Sequence, residues 1–128
     1  MRAMSRLWVL AGFFAGTAVL AACGTTDDDR PTTIEYVVSS VLAPNCANAQ
    51  CHSAFRQVKG YAFDTPEHLQ ASGDVLVTKG EPELSSLYLV LTPEGVAMGF
   101  PQMPYDQPLP NADIELVRRW IAEGADGL

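Results

Sequence analysis

Apolar residues are distributed along this chain in several distinct ways, and each predicts a different element. An almost entirely apolar stretch runs from Leu7 to Leu20 behind the basic residues Arg2 and Arg6. It falls short of the roughly 20 apolar residues a membrane-spanning helix needs, and its basic front matches an export signal. Thr25 to Thr32 is polar and charged with no apolar period, the pattern of a solvated tether. From Ile34 the spacing changes to threes and fours: Ile34, Val37, Val38, Val41 and Leu42 predict an amphipathic helix that ends before Pro44. Pro31-Thr32-Thr33-Ile34-Glu35 reads as its start, with a threonine near the cap and Glu35 in the first turn. Asp64-Thr65-Pro66-Glu67 predicts a short second helix reaching Ala71 and ended by Gly73. Gly80-Glu81-Pro82-Glu83 opens a third, with Leu84, Leu87, Tyr88 and Leu91 on one face. Thr92 to Pro110 holds Gly95, Gly99 and five prolines and reads as an irregular loop. The last helix should start at an Asn111 cap, bury a stripe of Ile114, Val117 and Ile121 beside Leu116 and Trp120, and stop at Gly124. Asp74 to Thr78 is the single β-like run. The expected fold is all-α, with three to five short helices, long loops and no internal repeat.

The apolar stretch ends at Leu20-Ala21-Ala22-Cys23-Gly24. This resembles the lipobox of bacterial lipoproteins, in which the signal is cut before a cysteine that is then acylated. The resemblance implies a signal peptide over 1–22, lipidation at Cys23, a tether over 23–32 and a folded domain over 33–128. It places the protein in the cell envelope, lipid-anchored and facing the periplasm. Gly24 is not the aspartate associated with retention at the inner membrane, so the outer membrane is favoured.

Charge changes the picture next. Arg2 and Arg6 leave with the signal, so six basic residues face 15 acidic ones and the mature formal charge is −9. An acidic surface of this kind argues against nucleic acid and suits a basic redox partner. A domain under about 100 residues is a marginal core builder, and small domains commonly add a disulfide, a metal or a prosthetic group.

With Cys23 assigned to lipid, the remaining cysteines are Cys46 and Cys51, in the string Cys46-Ala47-Asn48-Ala49-Gln50-Cys51-His52. Two thiols followed directly by an imidazole are what covalent haem attachment needs: thioethers to the two vinyl groups and an axial nitrogen for iron. The usual spacing between the cysteines is two residues and here it is four. The vinyl positions are fixed, so the additional residues must bulge outward. Compartment alone favours the alternative of a Cys46–Cys51 disulfide in an exported, haem-free lipoprotein that serves as a binding or structural module. Zinc held by Cys46, Cys51, His52 and His68 is a third arrangement, disfavoured because adjacent Cys and His rarely serve one tetrahedral ion.

Several ordered features tip that balance. Leu42-Ala43-Pro44-Asn45-Cys46 leads from the first helix into Cys51-His52. Lys79 to Tyr88 carries a glycine-acidic-proline turn before Ser85-Ser86-Leu87-Tyr88. Gln102-Met103-Pro104 follows, and then Ile114 through Arg119-Trp120-Ile121-Ala122-Glu123-Gly124-Ala125. In this order, from about Ile34 to Ala125, the chain resembles the planctomycete-type cytochrome c domains, also common in myxobacteria. The resemblance implies a small cytochrome c-like fold around one covalent haem c. Cys46 and Cys51 would be its thioether residues, His52 the proximal iron ligand and Met103 the distal one, with Met98 the competing sulfur. It further implies haem-wall roles for Tyr88, Phe100 and Leu109, crossed first and last helices near Trp120, and electron transfer to envelope redox proteins rather than enzymatic turnover. His68 is expected to face solvent.

Overall fold

The computed structural model of the protein describes residues 28–128; the expected signal segment and the expected lipidation site Cys23 lie outside the described residues. The first helix, α1 (residues 34–46), begins where Thr33 accepts the Tyr36 N–H on its side chain. It does not stop before Pro44. An α-helical turn, Ile34–Val37, passes into a π-helical turn, Val38–Leu42, and returns to α geometry over Ala43–Cys46. Proline lacks the N–H that an α-helix interior requires, and a widened turn just ahead of it lets the chain absorb the residue without breaking. The consequence is functional: α1 carries Cys46 on its last turn rather than releasing it into a loop.

All five apolar positions of the expected stripe, Ile34, Val37, Val38, Val41 and Leu42, are buried. They pack with the last helix, α6 (Asn111–Ala122), whose Leu116, Val117, Trp120 and Ile121 are fully buried. Asn111 is the first helical residue and not the cap; Pro110 takes the cap position, and no side chain caps this end. At the other end Gly124, at φ +104°, follows the cap residue Glu123. Its N–H reaches the Ile121 carbonyl at 3.0 Å while the Ala125 N–H reaches Trp120 at 2.8 Å. That pair of bonds is a Schellman ending, which needs a left-handed residue here. The Trp120 indole N–H is satisfied by the Asp126 carbonyl at 3.0 Å.

Between α1 and α6 lie short helices: α2 (Pro66–Gln70), capped by Thr65, α3 (Gly73–Leu76), α4 (Ser86–Leu89) and α5 (Pro93–Ala97). Two of these overturn the expectations above. Gly73 opens a helix instead of closing one, so the β-like run is a helical turn followed by extended Val77. The proline-rich stretch likewise contains α5, started by Pro93 behind the Thr92 cap. Gly95 within it is forced by packing, because a Cβ there would lie 1.9 Å from the Leu89 carbonyl oxygen. The described residues contain no strand. None of their helices is long and apolar enough to cross a membrane.

The end of the expected tether is not loose. Arg30 donates to Asp113 at 2.6 Å and to the Ala112 carbonyl at 2.6 Å, while Asp28 bridges Arg30 at 2.8 Å and Arg119 at 3.2 Å. Thr32 adds a hydrogen bond to Glu123. Residues 28–32 are thereby held along α6.

Candidate functional site

Cys46 sits at the C-terminal end of α1, and the chain then makes a wide turn. Asn48, Ala49 and Gln50 are exposed, the outward bulge expected of a four-residue spacer. Two hydrogen bonds shape it: Asn48 Oδ1 accepts the Gln50 N–H at 3.0 Å, and the Asn48 carbonyl accepts the Cys51 N–H at 3.0 Å. A third closes it, because the His52 N–H donates to the Cys46 carbonyl at 3.0 Å. The longer spacer is looped out, and its ends are returned to hydrogen-bonding distance.

Beyond His52 the chain doubles back through a tight turn, Val58–Gly60, and Gln57 ahead of it, Lys59 and Gly60 all have positive φ. Left-handed geometry at non-glycine residues costs on the order of 1 kcal/mol each, and such strain tends to collect around sites. The turn delivers Tyr61 and Phe63 to His52. Val58 donates to the Cys51 carbonyl at 3.1 Å, and Phe63 to the His52 carbonyl at 2.7 Å. The Phe63 ring lies 4.9 Å from the imidazole and stacks at 9° with Tyr61.

His52 Nδ1 rests 3.3 Å from the Tyr61 carbonyl. A carbonyl has no proton to give, so this contact places the ring proton on Nδ1 and leaves Nε2 with its lone pair. Ligating histidines are commonly held in this way, one nitrogen on a backbone carbonyl and the other free for a metal.

Met103 reaches the same place from the far side of the sequence. Its N–H donates to the Val90 carbonyl at 2.7 Å, and the Gln102 amide donates to the Met103 carbonyl at 3.0 Å. The first bond ties the proline-rich loop to the end of α4, and the second is internal to the loop. The loop's register is therefore set by backbone and not by the methionine side chain.

Cys46, Cys51, His52 and Met103 line one cleft of about 940 Å³, near the upper end of the range for small-molecule pockets, roughly 300–1,000 Å³. Its walls are predominantly apolar, formed by Tyr61, Phe63, Leu76, Leu87, Val90 and Leu91. Lys59 and Asp106 are the charged side chains on its lining. Met98 does not line the cleft and is 66% exposed. Tyr88, Phe100 and Leu109, expected at the wall, do not line it either. Leu87, Val90 and Leu91 share one helical face, three and four residues apart, and Tyr88 is a step round from it. Leu109 is buried in the main core instead.

One buried serine explains how α4 is aimed. Ser85, fully buried, accepts the Thr78 N–H on Oγ at 2.9 Å and donates to the Glu81 carbonyl at 2.9 Å. It locks the Gly80–Glu83 turn, so that Leu87 enters the cleft wall. Its place in the Ser85-Ser86-Leu87-Tyr88 string, after the glycine-acidic-proline turn, was the available signal.

Both cysteines are thiols here. Burial first, and the charge of Cys51 second, push the Cys46 thiol up to about 11, so it stays protonated at neutral pH. His68 is not with them. It lies 41% exposed against Asp64, Nδ1 to Oδ1 2.6 Å. No group of three or more His, Cys, Asp or Glu side chains arranged to hold a metal ion occurs among the described residues. A zinc set of Cys46, Cys51, His52 and His68 is therefore not brought together. No family model, no curated protein and no solved structure matches the chain.

Proposed function

We propose that the protein is a monohaem c-type cytochrome lipoprotein that transfers electrons in the cell envelope. The observation that carries this reading is the meeting of Cys46, Cys51, His52 and Met103 on one apolar cleft large enough for a sizeable planar group. The donor set fits haem c in kind: two thiols for thioethers, an imidazole whose Nδ1 is engaged by a carbonyl, and a thioether sulfur on a backbone-fixed loop.

In this reading Cys46 and Cys51 hold the group covalently and His52 ligates through Nε2. The Tyr61 carbonyl keeps the imidazole proton on Nδ1, which raises the basicity of the ligating nitrogen. Met103 would be the second residue to hold the group, and a thioether ligand would favour the ferrous state. Phe63, Leu87 and Leu91 exclude water from the cleft. Bound haem would supply a one-electron Fe(III)/Fe(II) couple. With His52 and Met103 both able to hold such a group, the reading is of a chain that would carry electrons rather than turn over a substrate. Lipid at Cys23 would keep it at the membrane, the outer one favoured, where its acidic surface meets basic redox partners.

The test is a visible spectrum and an intact mass of protein purified from a host that matures C-x4-C-H haem sites. The expected result is a Soret band, a sharp reduced α-band and one haem of added mass that survives denaturation. A colourless protein at the apo mass, gaining two hydrogens on reduction, would overturn it in favour of a Cys46–Cys51 disulfide module.

A further inference from the structure

The contacts that hold His52 do not end at its own ring. Segment 61–64 lies along the loop that follows His52 and touches it in sequence. The Tyr61 carbonyl faces Nδ1, the Phe63 N–H donates to the His52 carbonyl, and the Phe63 ring packs on the imidazole. The next residue, Asp64, turns its side chain back the same way. Its Oδ2 accepts the Ala54 N–H at 2.9 Å, two residues beyond His52. Its other oxygen accepts from His68 Nδ1 at 2.6 Å.

His68 in turn belongs to α2, which is rooted on both sides. Thr65 caps its first turn, accepting the His68 N–H at 3.3 Å, and Leu69 is fully buried in the core. A continuous path therefore runs from the core through Leu69 and His68 to Asp64, and from there to the loop bearing His52. Most of the clamp on this loop is backbone. Asp64 is the side chain that completes it, and so the member that can be changed without rebuilding the chain.

We propose that Asp64, oriented by His68, is a positioning residue for His52: it pins the 53–57 loop so that the imidazole keeps Nδ1 on the Tyr61 carbonyl and Nε2 available to a ligand. This rests on the reading of His52 as an axial ligand. The Asp64 carboxyl is held below the ordinary carboxylate range, chiefly by the Ala54 N–H, so the acceptor stays charged at neutral pH. Hydrogen bonds to a charged acceptor are the stronger kind. Ala54 is exposed, so its amide can find water when Asp64 is removed. The loss should loosen the loop more than it unfolds the domain, which separates a positioning role from a structural one.

The experiment uses the full chain, wild type and Asp64→Ala, with ¹⁵N NMR of the His52 ring and hydrogen exchange at Phe63 and Val58. In wild type the ring proton should sit on Nδ1. In Asp64→Ala exchange at Phe63 should quicken by about ten- to a hundredfold, and the ring should sample both tautomers, with the global unfolding midpoint little changed. Asp64→Asn keeps one acceptor and a donor for a neutral His68, and should restore most of the wild-type behaviour. Unchanged exchange and an unchanged tautomer in Asp64→Ala would overturn the proposal. Should Asp64→Ala fail to fold, His68→Ala removes only the orienting partner and should show the same changes at reduced size; wild-type exchange there would be equally fatal. The two readings fail separately. A wild-type protein without haem defeats the cytochrome assignment, while the exchange and tautomer data on that same colourless sample still decide the role of Asp64.

Discussion

Along α1 and α6, aliphatic side chains recur every third or fourth residue, and nearly all of them are fully buried against one another around Trp120. Around the cleft the order is of another kind. Tyr61, Phe63 and Met103 are placed by single backbone hydrogen bonds and a left-handed turn, and while Tyr61 and Phe63 stack on each other, all three side chains also border the cleft. One half of the domain is stabilised by what it buries in itself. The other half borders a cleft of about 940 Å³ that its own side chains leave open. The difference predicts that stability and cofactor chemistry can be damaged separately, and substitutions in each half test this.

The largest effect on stability should come from the helical frame. Trp120→Ala removes a fully buried indole and its hydrogen bond to the Asp126 carbonyl. Truncations of this type cost about 3–5 kcal/mol, much of the stability of a small domain. Denaturant unfolding should show a large fall in midpoint. A loss near 1 kcal/mol would mean that the frame is not where this domain keeps its stability.

This same division governs how far the residues could be read without coordinates. The frame was legible because burial in a helix leaves a period: Ile34 to Leu42 and Ile114 to Ile121 announce their faces, and Thr33 and Thr65 announce their caps. Pro44 misled because its exclusion from helices assumes regular α geometry, and the π turn over Val38–Leu42 relaxes that assumption. α3 and α5 were missed because helices of four and five residues are too short to show a period, and Pro93 with Gly95 imitates a loop. At the cleft, Cys46, Cys51 and His52 were legible because they are neighbours in sequence, and Met103 only through a family resemblance. Tyr61 and Phe63 carried no signal, and Asp64 only that of a helix start. Their approach to His52 depends on the reversal at Gln57–Gly60, and a turn with positive φ at glutamine and lysine is not written in composition. Leu84, expected on one face with Leu87, Tyr88 and Leu91, is 69% exposed, because Pro82–Leu84 forms a separate 3₁₀ turn ahead of α4.

Met103→Ala probes the other half. The side chain is half-buried on the cleft wall, so its removal from the bare protein should cost about 1 kcal/mol or less. In haem-loaded protein the effect should be chemical: covalent haem retained, the ferric long-wavelength sulfur–iron band lost, and the sixth position open to added ligands. Retention of that band would exclude Met103 as the ligand. A large loss of stability in the bare protein would show that the cleft side is self-packed after all, and would erase the distinction between the halves.

The smallest effect should appear where residues 28–32 join the frame. Asp28 bridges Arg30 and Arg119, and its carboxyl is lowered from 3.8 to about 2, chiefly by the hydrogen bond from Arg30. A depressed folded-state value means stability that is present above the ordinary carboxylate pKa and is lost as the pH falls through the folded one. Asp28→Asn should therefore unfold slightly more easily than wild type at neutral pH, and the difference should close between about pH 4 and pH 2. Asp64, Glu67 and Glu115 also have lowered values and contribute to the acid sensitivity of both proteins, so the difference between the two curves isolates Asp28. The side chains of this network are about one quarter exposed, so added salt should shrink the difference as well. Unfolding midpoints across that pH range, at low and high salt, are the measurement. Parallel curves would mean that Asp28 does not hold the chain to α6, and that the frame begins at Thr33, where α1 is capped, rather than at Asp28.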